Sequence, residues 1–148
     1  MQQIRLEKDL RKWLFNKLKD YPIEFQPIES ESTGIGIPDI YFSAELSGWI
    51  ELKCDATLYN SNTNVCMIRI PFRPGQISWI NKHMKFKSSN IFLFLYFRGC
   101  LYIFRNNHIQ KEYYYHEFKD NVEIAMSIND IQPKQLYRIL INQKEPPF

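Results

Sequence analysis

The chain has 148 residues, enough for one domain with a sizeable core, and 45% apolar content excludes a disordered protein. A net charge of +3 is compatible with a polyanionic partner without pointing to one. The longest apolar run, Ile91–Phe97, is far too short to cross a membrane, and the three cysteines (Cys54, Cys66, Cys100) fit no zinc spacing. The charged N-terminus lacks an apolar signal region, so the expectation is a cytoplasmic protein with reduced thiols and no membrane partner.

In chain order, Gln3–Lys19 reads as an amphipathic helix, with Leu6, Leu10, Trp13, Leu14 and Leu18 at helical spacing and Pro22 marking the exit. Ile23–Ile28 is a short strand, and Glu29–Gly36 a polar loop. Two strands follow, Asp39–Ala44 and Gly48–Cys54, joined by a tight turn near Leu46-Ser47-Gly48. Asp55–Asn64 reads as a polar loop and Val65–Ile70 as a short strand. Pro74-Gly75 opens a helix over Gln76–Phe86. Ile91–Phe97 and Leu101–Phe104 form a hairpin turning at Arg98-Gly99. The stretch from Asn106 to Ile128 is ambiguous, with strand character at Tyr113–Tyr115. Pro133 sits in the first turn of a last helix ending near Asn142. The order implies an α/β fold, a mixed central sheet flanked by helices, in a single domain over residues 1–148.

The chemistry lies in GIGIPDIYFSAELSGWIELK, residues 34–53. Asp39 heads one strand. Glu51 and Lys53 lie on the next, and alternation along a half-buried strand puts them on one face. Two carboxylates and a lysine on one face suit metal-assisted phosphodiester cleavage. Mg²⁺ needs few protein ligands and takes the substrate phosphate as another. Asp39, Glu51 and the backbone carbonyl of Leu52 are candidate ligands. Lys53 can orient a water, stabilise negative charge, or both. Gly34 and Gly36 would let backbone approach a phosphate or metal closely.

Pro38-Asp39 followed by Glu51-Leu52-Lys53 resembles the PD-(D/E)xK, restriction-endonuclease-like superfamily. Within it the chain is most similar to virus-type replication-repair nucleases and to phage and bacterial Holliday-junction resolvases. The resemblance covers about Leu6 to Phe104 and leaves the segment 106–148 unassigned. It implies a restriction-endonuclease-like fold, Mg²⁺ with Mn²⁺ as substitute, 5′-phosphate products, and DNA rather than RNA as partner. It also fits phage or mobile-element DNA processing, and a homodimer if branched DNA is cut. Two further positions match: Glu7 on the first helix as a metal-site carboxylate, with Glu24 its rival, and Gln76 on the helix after the Glu-x-Lys strand.

Arg69 and Arg73, flanking Pro71, and Lys82 and Lys85 in a basic stretch with Lys87, are candidate phosphate contacts. His83, His108 and His116 share no metal spacing and read as structural or surface residues. Two hypotheses from different classes emerge: a Mg²⁺-dependent DNA endonuclease, and a catalytically silent nucleic-acid-binding module on the same fold. A third is a structural protein whose carboxylates merely pair with lysine.

Overall fold

A computed structural model describes residues 3–28, 36–86 and 90–142. Among these residues, nine strands and three α-helices follow one another as α1 (Glu7–Lys17), β1 (Glu24–Pro27), β2 (Ile40–Ser43), β3 (Ser47–Lys53), β4 (Thr57–Asn60), β5 (Cys66–Arg69), α2 (Gln76–His83), β6 (Ile91–Phe97), β7 (Cys100–Arg105), β8 (Glu112–Tyr114), β9 (Ile124–Ser127) and α3 (Pro133–Ile141), with one 3-10 turn over Asn106–His108. The main sheet has the order β1-β2-β3-β6-β7-β9 and is antiparallel except for the parallel β3–β6 pair. A parallel neighbour needs a long crossover. Here the crossover carries β4, β5 and α2, and β4 and β5 join β8 in a second, three-stranded antiparallel sheet.

Burial follows from this layering. The uninterrupted apolar run of β6 is buried on both faces because both faces are covered. One face carries α1 and α3, where Leu10, Leu14, Leu136 and Leu140 pack on Ile40, Phe42, Ile50, Leu52, Phe92 and Phe94. The other carries α2 and the second sheet, where Ile80 and Ile68 pack on Ile91, Leu93, Leu95 and Phe104. Arg105, at the end of β7, pairs with Glu123 and donates hydrogen bonds to the carbonyls of Ile139 and Asn142, tying the C-terminal end of α3 to the sheet.

The expected mixed sheet flanked by helices is present, with four local corrections. The stretch Asp55–Asn64 is not a loop throughout. Thr57-Leu58-Tyr59 are good strand formers, and they pair with β5 once Ser61 Oγ accepts the Val65 N–H and closes the hairpin. The β2–β3 turn falls at residues 44–46, two residues earlier than its sequence suggests. α1 starts at Glu7, and Leu6 is its exposed N-cap residue rather than part of the apolar stripe. β3 is not half-buried: Ile50 through Lys53 are all buried, because β3 lies between β2 and β6 with both layers over it.

The Arg98-Gly99 turn of the β6–β7 hairpin has positive φ at both residues (52° and 82°), the two-residue geometry that matches strand twist. Pro133 opens α3 at its first turn. The strand character near Tyr113 belongs to β8. Cys54, Cys66 and Cys100 are free thiols. Among the described residues no helix is long and apolar enough to cross a membrane.

Candidate active site

The site forms where β2 begins and β3 ends. The β2–β3 ladder runs out at the Ile40–Ile50 pair, two residues short of Leu52. Asp39, just ahead of β2, takes over: its Oδ2 accepts the Leu52 N–H at 2.9 Å. The N–H and C=O of a strand residue lie on the same side, so the Leu52 carbonyl belongs to this gap as well. Leu52, Asp39 and Glu7 line one hollow there, together with Lys8, Arg11 and Ile28.

Glu51 and Lys53 stand on the opposite face of β3 from Ile50 and Leu52, beneath α2 and the second sheet, and are 1% and 2% exposed. A carboxylate and an ammonium that deep must be paired. Lys53 Nζ lies 3.3 Å from Glu51 Oε2 and 3.9 Å from Glu7 Oε1. Gln76, the first residue of α2, donates from Nε2 to Glu51 Oε2 at 2.8 Å, and its Oε1 accepts the Arg73 N–H at 2.6 Å. The other carboxylate oxygen, Glu51 Oε1, is buried and has no hydrogen-bond partner among the described residues.

Burial first, and then the charge of Asp39, push the Glu51 carboxyl up to about 8 against the pull of Lys53. Glu7 is also raised, mainly by burial. Arg73 leans on Asp39 from outside, with 3.8 Å between its guanidinium nitrogen and Oδ1.

Backbone packing holds the parts in register. A Cβ at Gly36 would lie 2.2 Å from the Gly75 carbonyl oxygen, and Gly36 has φ +91°. The segment leading to Asp39 therefore packs backbone on backbone against the turn that opens α2. Gly36 approaches that turn directly, while Gly34 lies outside the described residues.

The structure thus brings Glu7, Asp39, Leu52, Glu51, Lys53, Gln76 and Arg73 together from α1, the start of β2, β3 and the start of α2. Glu24 is exposed on β1, opposite Ser43, and takes no part. Arg69 stands in the second sheet, its Nε 2.8 Å from Glu112 Oε1 and its guanidinium over the Tyr59 ring. Lys82 and Lys85 are exposed, on α2 and just past it, and Lys87 lies outside the described residues. His83 stacks on Trp79, with ring centroids 3.7 Å apart. The sequence reading missed Lys8 and Arg11 in the wall of the hollow. Their spacing from Glu7 on a helix was the available signal.

The donor set suits a hard divalent cation: carboxylate and carbonyl oxygens, one of them a buried carboxylate oxygen with no partner among the described residues. Among the described residues no three His, Cys, Asp or Glu side chains form a ready-made cation cage. Mg²⁺ is ordinarily held by one or two carboxylates plus waters and a substrate phosphate, so the residues fit it.

No protein-family model matches the chain, and no curated protein matches it. A solved structure does: Hjc, a Holliday junction resolvase from the archaeal hyperthermophile Archaeoglobus fulgidus. The likeness has a TM-score of 0.52 at 9% identity and covers 82% of this chain and 95% of that one. At that identity it shows a shared fold, and the mixed sheet with flanking helices is restriction-endonuclease-like.

Proposed function

We propose that the protein is a divalent-metal-dependent DNA endonuclease that hydrolyses phosphodiester bonds and leaves 5′-phosphate ends. One observation carries the reading: the buried Glu51–Lys53 pair, fixed by Gln76, keeps one carboxylate oxygen without a partner among the described residues, within the field of Asp39 and Glu7. A glutamate and a lysine this costly to bury side by side are characteristic of sites built for chemistry. The fold shared with a junction resolvase directs the choice of substrate toward branched DNA.

Asp39, Glu51 Oε1, the Leu52 carbonyl and Glu7 are the atoms that would hold Mg²⁺ or Mn²⁺. When bound, such an ion supplies Lewis acidity, offsetting charge on the phosphate and acidifying water. Lys53 supplies a fixed ammonium that orients the attacking water or steadies the added negative charge. Gln76 locks the Glu51 carboxylate so that its free oxygen keeps one direction, as outer partners of ligands do. Arg73, 56% exposed, can move from Asp39 to a substrate phosphate. Paired cuts across a junction need two such sites, so the protein acts on that substrate as a homodimer.

The test is a substrate panel of supercoiled plasmid, linear duplex, single strand, four-way junction and RNA, with Mg²⁺, with Mn²⁺ and with chelator. Metal-dependent cutting of DNA, strongest on the junction and ending in 5′-phosphates, is expected. DNA binding with no cutting of any substrate would replace this reading with a silent binding module.

A further inference from the structure

We infer that one DNA strand runs along the N-terminal turns of α1, with Arg5, Lys8 and Arg11 holding its phosphates and the nucleotide beside the cut seated between α1 and Pro71. The inference rests on the nuclease reading and deepens it by locating the strand.

Two hollows meet at this place. The smaller, of about 210 Å³, is the one that contains Asp39 and Leu52. The larger, of about 460 Å³, is lined by Arg5, Leu6, Glu7, Lys8, Cys54, Asp55 and Pro71. Glu7 and Lys8 belong to both walls, so the hollows adjoin across the first turn of α1. The smaller has room for a hydrated cation and a phosphate group. The larger falls within the range of small-ligand pockets, with room for a nucleoside.

The charge arrangement suits a polyanion. Lys8 and Arg11, three apart on α1, are neighbours on the helix surface, and Arg5, just ahead of the extended Leu6 N-cap, lines the larger hollow with Lys8. Their side chains are exposed, and among the described residues none of the three is in an ion pair. The carboxylates that share the hollows with them are Glu7, beside Lys8 on α1, together with Asp39 and Asp55. A strand entering past those carboxylates needs cations along its path, and these three supply them.

Leu6 gives a second, independent reason. It is an apolar residue at a helix N-cap, a position that favours Ser, Thr, Asp or Asn, and it is 55% exposed. Asp9 takes over the capping by accepting the N–H groups of Arg5 and Leu6. That leaves the Leu6 side chain, with exposed Pro71 opposite, as an apolar wall of the larger hollow, which suits a sugar or base face. Arg69, by contrast, is held by Glu112, and Lys82 and Lys85 line neither hollow.

The experiment is equilibrium binding of fluorescent duplex and four-way junction in chelator, across a salt series, for wild type and for Arg5→Gln/Lys8→Gln/Arg11→Gln. The substituted side chains are exposed, so melting temperature should hold. Affinity should fall more than about tenfold at about 0.1 M salt, and the slope of log K against log salt should become shallower by about 2 to 3. Leu6→Glu, which adds charge while removing no cation, should weaken binding as well. Unchanged affinity and slope in the triple variant, beside a wild type that cleaves DNA with metal, would overturn the strand path and leave the nuclease standing. A wild type that neither binds nor cuts DNA would overturn both.

Discussion

Glu51→Gln tests the electrostatics of the site in the metal-free protein, before any catalysis. A glutamate ordinarily titrates near 4.5, and burial beside Asp39 raises Glu51 to about 8. The folded state therefore keeps a proton that the unfolded chain releases. The stability this gives is fully present below pH 4.5 and is lost as pH rises toward 8. At about 1.36 kcal/mol per pH unit the full loss would be about 5 kcal/mol. A measured loss of about 2 kcal/mol, equivalent to about 4–8 °C for a chain of this size, would suffice to establish it.

The glutamine side chain introduced by Glu51→Gln would have the shape of the protonated carboxyl and cannot titrate. The variant should match wild type near pH 5 and exceed it near pH 8.5, by thermal melts in chelator at constant ionic strength. Mn²⁺ should abolish the difference by stabilising the ionised carboxylate of wild type. A constant gap between the two proteins across that range, or a wild type that gains stability with pH, would refute the argument.

Other variants probe the supports. Gln76→Ala removes the donor to Glu51 and strands the Arg73 N–H, so it should cost about 1–3 kcal/mol in a denaturant titration and lower cleavage about 10- to 100-fold. Gly36→Ala forces a Cβ onto the Gly75 carbonyl at a positive φ; a melting temperature lower by several degrees, with reduced metal binding by calorimetry, is expected. Arg105→Met leaves Glu123 and two carbonyls of the α3 end without the guanidinium, and should cost about 3 kcal/mol, with faster hydrogen exchange across Pro133–Ile141.

Much of this arrangement was legible in the sequence because it is local. The Pro38-Asp39 strand head, the Glu51-Leu52-Lys53 alternation, Gln76 just after Pro74-Gly75, and the unbroken apolar run of β6 are all short-range patterns that survive in the fold. What was hidden depends on distant pairing. Thr57–Asn60 becomes a strand only because Cys66–Arg69 lies beside it and Glu112–Tyr114 extends the sheet. Arg69 meets Glu112 across 43 residues, which no spacing rule foretells. The burial of Lys53 follows from β6 and α2 closing over β3. Lys8 and Arg11 looked like ordinary charges of an amphipathic helix until the loop bearing Asp39 came to lie beside them.

The site functions as proposed only if these carboxylates support hydrolysis. The most direct measurement is the rate of four-way-junction and plasmid cleavage with Mg²⁺ by wild type and by Asp39→Asn, whose amide oxygen can still accept the Leu52 N–H and preserve the fold. A folded Asp39→Asn protein that binds DNA normally and cuts more than about 100-fold slower is the predicted result. Cleavage by Asp39→Asn at the wild-type rate would show that Asp39 has no part in hydrolysis.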